Sequence, residues 1–131
     1  METSKTKARF APELHIPQRT FDIDFYIRFG ATEHFRYCNE DGSIHVVELE
    51  IAEAIFYLHE TMPWFDALEP IGAKGATAVI GLFVPDVDEV MEKAVRAGAT
   101  EIKPAQDYDY GYRQGLFKDP FGHYWQIQKK I

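Results

Sequence analysis

Three side chains with acid–base or metal-binding chemistry fall on two predicted strands: Glu13, His15 and His59. Residues alternate between the two faces of a strand, so Glu13 and His15 share one face, and His59 shares a face with Tyr57. A carboxylate and two imidazoles could form an acid–base pair or hold a metal ion if the fold brings them together. They could instead be hydrogen-bonded or solvated at the rim of a sheet. We favour this second interpretation, because spacing alone does not establish mutual geometry.

A second candidate site is a tyrosine-rich stretch in a predicted loop over 104–111 and the strand after it, with Tyr108, Tyr110 and Tyr112 at alternate positions. Such rings could stack on a planar ligand, and the intervening Asp107 and Asp109 could attract a cation. Tyrosine is equally suited to a loop or dimer contact, so both alternatives stay open.

These candidates belong to elements that occur twice in the chain. Arg-Phe-Gly-Ala-Thr-Glu at 28–33 returns as Arg-Ala-Gly-Ala-Thr-Glu at 96–101. Two related halves, 9–60 and 77–131, are therefore predicted, joined by a linker over 61–76 that is rich in proline and glycine. Neither half is large enough to bury an adequate core, so we expect the halves to close on each other, with the candidate site between them.

Hydrophobic periodicity and turn residues predict a strand, a helix and three strands in each half. In the first half a helix is expected to begin at Thr20 and to end at Gly30. In the second, Asp86 and Glu89 form a capping-box pattern, and Gly98 ends the helix. Strands are expected over 9–16, 32–38, 43–51, 53–59, 79–84, 99–103, 112–118 and 123–130.

Composition excludes several classes of function. The net charge of −7 argues against nucleic-acid binding, and no apolar run is long enough for a membrane span. The polar start of the chain is unlike a secretory signal, and the single cysteine, Cys38, cannot form an intrachain disulfide. A single cytoplasmic domain of 131 residues is therefore predicted.

The run 83–88, the repeat at 96–100 and Asp119-Pro120-Phe121-Gly122-His123 resemble the vicinal-oxygen-chelate superfamily of glyoxalases, bleomycin resistance proteins and dioxygenases. Tyr110-Gly111-Tyr112-Arg113 is similar to a loop of its glyoxalase-like branch. The resemblance implies an α+β fold of two tandem βαβββ modules, a concave cleft of mixed sheets, and a homodimer.

Relatives hold one divalent metal through side chains of the first and last strands of each module. The resemblance places those ligand positions at Ala11, Tyr57, Val79 and Gln126. Alanine and valine have no lone pair, whereas a catalytic metal normally keeps about three protein ligands. We therefore predict no metal and no cofactor.

The residues favour a metal-free protein that binds a small planar or cationic organic molecule, such as an antibiotic or aromatic metabolite. The expected binding residues are Glu13, His15, Tyr57, His59, Phe83, Tyr108, Tyr110, Tyr112, Tyr124 and Gln126. One alternative is a lyase, isomerase or dioxygenase that uses Glu13, His15 or His59, with or without a displaced metal. Another is an accessory module with a vestigial cleft. Catalytic residues are not assigned.

Overall fold

The computed structural model describes residues 7–64 and 76–131, which form eight strands and two helices. In chain order the elements are β1 (Glu13–Ile16), α1 (Asp24–Phe29), β2 (Thr32–Cys38), β3 (Ile44–Ile51), β4 (Ala54–Glu60), β5 (Val79–Phe83), α2 (Val87–Ala97), β6 (Thr100–Tyr108), β7 (Tyr112–Lys118) and β8 (Tyr124–Lys130). Each half is a βαβββ module, so the predicted α+β fold of two tandem modules is confirmed. The predicted linker over 61–76 lies mostly outside the described residues.

The repeated hexapeptide marks equivalent helix ends. Gly30 ends α1 with φ of 122°, and Gly98 ends α2 with φ of 121°. Glycine adopts this positive φ at no steric cost, which explains its place in both copies. The alanine after each glycine is buried, and its backbone N–H donates to a carbonyl oxygen of the preceding helix. These bonds are Ala31 N to Tyr26 O and Ala99 N to Ala94 O.

Each module folds into a four-stranded mixed sheet in which the first strand pairs in parallel with the last. The orders are β1-β4-β3-β2 and β5-β8-β7-β6. This pairing sets β1 beside β4 and β5 beside β8, so the first and last strands of each module carry the predicted site residues side by side.

The two sheets share one aromatic core. Phe56 of β4 and Trp125 of β8 have ring centroids 5.5 Å apart, and Tyr26 of α1 packs against both rings. One turn further along α1, Phe29 packs on Phe117 and Trp125 at 5.2 and 5.5 Å. Because these side chains belong to the apolar face of each sheet, the sheets meet through those faces.

Three predicted boundaries are wrong. The first strand begins at Glu13 rather than residue 9, and α1 begins at Asp24 rather than near Thr20. Thr20 Oγ1 donates to Pro17 O instead of capping the helix, and Asp22 accepts the Asp24 N–H. The predicted loop over 104–111 is strand as far as Tyr108, because β6 is an edge strand, where a proline costs no ladder hydrogen bond.

Candidate functional site

The predicted site residues lie on the faces of the two sheets that point away from the shared core. Strand alternation puts Tyr57 on the face of β4 that is opposite to the buried Phe56 and Leu58. In the same way, Gln126 lies on the face of β8 that is opposite to the buried Trp125 and Ile127. The space where the halves meet is filled by the aromatic core. The candidates therefore form two groups, one on the outer face of each sheet.

The first group, here called the acidic face, lies on the outer side of the first sheet. Glu13 pairs with Tyr57 and His15 pairs with His59 across β1 and β4, so these four predicted residues are brought together. On the other side of β4, Glu48 pairs with Tyr57. The Tyr57 ring is thus flanked by two carboxylates on neighbouring strands.

A guanidinium lies on this face. Arg9 Nη2 donates to Tyr57 Oη at 2.6 Å, and the Arg9 guanidinium carbon lies 5.9 Å from the centre of the Tyr57 ring. Tyr57 Oη donates in turn to Glu48 Oε1 at 3.3 Å. Sequence reasoning missed Arg9 and Glu48. The register of the hairpin between β3 and β4 was the signal that could have found Glu48.

The histidines of this region make more contacts with one another and with the backbone than the sequence indicated. His123 Nε2 lies 2.7 Å from the backbone oxygen of His15, and the rings of His45 and His59 are 4.7 Å apart. Partial burial is the largest cause of a pKa of His15 below its usual value. The nearby His59 and His123 lower this pKa further, and Glu13 has a smaller opposite effect. This shift favours the neutral form of the His15 imidazole.

His45 also has a carboxylate partner. His45 Nδ1 lies 2.7 Å from Oε1 of the buried Glu60, and Asn39 Nδ2 donates to the same carboxylate. Glu60 stands at the end of β4, where alternation alone predicts an apolar residue.

The second group, here called the aromatic face, lies on the outer side of the second sheet and its hairpin. Tyr108 stacks on Tyr110 with centroids 5.6 Å apart, Tyr110 contacts Tyr112 at 5.6 Å, and Tyr112 contacts Phe83 at 6.2 Å. Tyr110 and Phe83 are 63% and 54% exposed, so part of each side chain is accessible to a partner. The fold brings four predicted binding residues into one aromatic row.

Glutamines supply polar groups beside this row. Gln114 Nε2 and Gln126 Nε2 both donate to Gln128 Oε1, at 2.8 and 3.2 Å, and Tyr110 Oη donates to Gln114 Oε1. A Cβ at position 81 would lie 3.0 Å from Gln128 Nε2, so Gly81 leaves room for the glutamine. A cavity of about 180 Å³ lies here, lined by Lys103, Tyr108, Tyr110, Gln114, Gly115, Leu116 and Gln126.

The two faces carry opposite charge. The outer side of the first sheet has Glu13, Glu48 and Glu50, whereas that of the second has Lys103 and Lys118. Lys118 Nζ lies 5.7 Å from the centre of the ring of Tyr124, the remaining predicted binding residue.

The residues at the metal positions of relatives do not suit a metal ion. Ala11 and Val79 present only hydrocarbon, and the Tyr57 hydroxyl and the Gln126 amide already bond to neighbouring side chains. No group of three or more His, Cys, Asp or Glu side chains within 7–64 and 76–131 is arranged to hold a metal. The described part of the chain also has no helix long and apolar enough to cross a membrane.

The sequence matches known proteins over most of its length. Residues 22–127 match the family model described as Glyoxalase/Bleomycin resistance protein/Dioxygenase superfamily. The uncharacterized protein Rv0887c of Mycobacterium tuberculosis is 31% identical over 125 residues, covering 92% of this chain and 74% of that protein.

Solved structures show the same architecture. TioX from Micromonospora is 26% identical with a TM-score of 0.69, covering 94% of this chain and 100% of that one. A gene product of Arabidopsis thaliana is 25% identical with a TM-score of 0.69, covering 95% and 98%. The 18% identical glyoxalase/bleomycin resistance protein/dioxygenase from Nocardioides, covering 97% and 87% with a TM-score of 0.64, shares the fold.

Proposed function

The chain belongs to the glyoxalase/bleomycin resistance protein/dioxygenase superfamily, and we propose that it is a metal-free, cytoplasmic protein that binds a small planar or cationic organic molecule. An antibiotic or an aromatic metabolite has this chemistry. The observation that carries the proposal is the row of open tyrosine and phenylalanine rings beside hydrogen-bonding glutamines. Flat apolar surface with a few fixed polar groups is typical of small-molecule sites.

The proposed binding unit is a homodimer. Within one chain the acidic and aromatic faces lie on opposite sides of the shared core, so a ligand cannot touch both. A second copy can set its aromatic face against the acidic face of the first. Twofold symmetry then forms the same contact twice, giving two equivalent clefts. The opposite charges of Glu13 and Glu48 on one face and Lys103 and Lys118 on the other favour this pairing.

Calorimetric titration with planar aromatic probes tests the proposal. We expect saturable binding of planar probes, and we expect Tyr110→Ala to weaken it about tenfold, since one stacked ring contributes roughly 1–1.5 kcal/mol. Tyr110→Phe keeps the ring and should retain most of the affinity. Absence of saturable binding across cationic, neutral and anionic planar probes would overturn the proposal.

A second candidate function, an enzyme of the lyase, isomerase or dioxygenase type, is favoured by one observation. His15 and His59 are neighbours across β1 and β4, and the lowered pKa of His15 leaves an imidazole able to accept a proton. Elemental analysis separates a metal-dependent enzyme from the metal-free binding protein, because such an enzyme would contain a stoichiometric transition metal in the purified chain.

A further inference from the structure

Arg9 occupies the acidic face in the way that a bound ligand would. Its guanidinium donates to the Tyr57 hydroxyl at 2.6 Å, and the guanidinium carbon lies 5.9 Å from the ring centre, at the hydroxyl edge of the ring. Tyr57, which receives it, pairs with Glu13 on one neighbouring strand and with Glu48 on the other, so one aromatic ring lies between two carboxylates.

This set of groups selects cations. The negative face of an aromatic ring attracts a guanidinium, amidinium or ammonium group, and carboxylates beside the ring add charge-assisted hydrogen bonds. An anionic group at the same place would meet Glu13 and Glu48 and would be repelled. The chemistry that retains Arg9 therefore also defines the ligand class.

Arg9 is held less firmly than the residues under it. Its side chain is exposed, and it lies before β1, whereas Tyr57 and Glu48 lie within paired strands. Among residues 7–64 and 76–131, the hydrogen bond and the ring contact of its side chain are both to Tyr57. An arginine bound through one tyrosine at the surface can exchange with a competing cation at small cost.

We propose that the cation-binding position of this protein is the Tyr57 ring between Glu13 and Glu48, and that Arg9 is an internal competitor that a planar guanidinium- or amidinium-bearing ligand displaces. This inference rests on the proposed function and narrows its ligand class from planar or cationic to planar and cationic. The apparent affinity of the protein for the ligand is then proportional to the fraction of time that Arg9 leaves this position free.

The test uses the full chain and the planar bis-amidinium dye DAPI, with phenylindole as a neutral probe of the same ring system. DAPI fluorescence is titrated with wild type, Arg9→Ala and Arg9→Lys. We expect Arg9→Ala to bind DAPI about three- to tenfold more tightly than wild type. Arg9→Lys, which keeps the charge but loses the planar fork, should fall between them. Phenylindole affinity should be equal in all three proteins.

Glu48→Gln is the matched variant on the receiving side. It keeps the shape of the side chain and removes the charge, so DAPI binding should weaken several-fold while phenylindole binding stays unchanged. Melting temperatures confirm that each variant is folded. Since Arg9 is exposed, we expect Arg9→Ala to have the same melting temperature as wild type.

Three results would contradict the inference. Equal DAPI affinity in wild type and Arg9→Ala would show that Arg9 does not compete, while saturable binding itself would leave the proposed function standing. An equal gain for phenylindole would show that Arg9 is a steric cover without charge selectivity. Binding of neither dye, nor of the anionic dye anilinonaphthalene sulfonate, would remove the proposed function together with the inference.

Discussion

At the scale of single residues, Asp119 joins the two halves of the molecule. Its carboxylate accepts from Tyr26 Oη at 2.6 Å and from Trp125 Nε1 at 3.0 Å. It also accepts from the backbone N–H groups of Phe121 and His123, which close the turn before β8. Burial and the adjacent Asp119 raise the pKa of Tyr26 well above its usual value, so Tyr26 keeps its proton and remains a donor.

Replacement of Tyr26 with phenylalanine therefore removes one donor from a buried carboxylate. We expect Tyr26→Phe to lower the free energy of unfolding by about 1.5–3 kcal/mol, the range for hydrogen bonds to charged groups. Urea denaturation measures this change. Tyr37→Phe is the control, since Tyr37 is 60% exposed, and it should stay within about 0.5 kcal/mol of wild type. A Tyr26→Phe protein as stable as the control would refute the role given to Asp119.

The sequence located Asp119 but not its partner. The spacing Asp119-Pro120-Phe121-Gly122 predicts the turn, which the Gly122 N to Asp119 O bond confirms, because turn chemistry is local. Tyr26 is 93 positions away, and no pattern within one segment pairs it with that carboxylate. The Arg9–Tyr57 contact, over 48 positions, was missed for the same reason.

At the scale of elements, α2 was predicted well and α1 poorly. Asp86 caps α2 as expected, its Oδ1 accepting the Glu89 N–H at 3.1 Å, and the apolar stripe of the helix buries Val87, Met91 and Ala94. The shorter α1 has six residues, and its N-cap, Ile23, has no side chain able to cap. Its position depends on Phe25 and Phe29 packing in the core, which capping rules do not describe.

Removal of the side-chain cap of α2 should lower the free energy of unfolding through the loss of one local hydrogen bond. We expect Asp86→Ala to lower the free energy of unfolding by about 1 kcal/mol, because the Glu89 N–H loses its acceptor. Asp86→Asn retains a capping oxygen and should lie close to wild type. Chemical denaturation of the three proteins gives the comparison, and an Asp86→Asn loss as large as that of Asp86→Ala would show that charge, rather than the hydrogen bond, stabilises this end.

At the scale of the whole molecule, local patterns predicted the two modules and the alternation that puts the site residues on the sheet face opposite the apolar residues. The candidate site was expected between the two halves, and this is wrong, because the modules are oriented with their apolar faces together. That orientation depends on contacts such as Phe56 with Trp125, which join side chains far apart in the chain and fill the space between the sheets. The acidic and aromatic faces therefore lie on opposite sides of one chain.

In the proposed assembly, two copies with no metal hold a planar cation between the acidic face of one and the aromatic face of the other. Native mass spectrometry in the presence of DAPI reports oligomeric state, ligand number and bound metal together. We expect a dimer that takes up two dye molecules and has the mass of a metal-free protein. A monomer that binds the dye alone, or a dimer that retains one transition metal per chain, would contradict it.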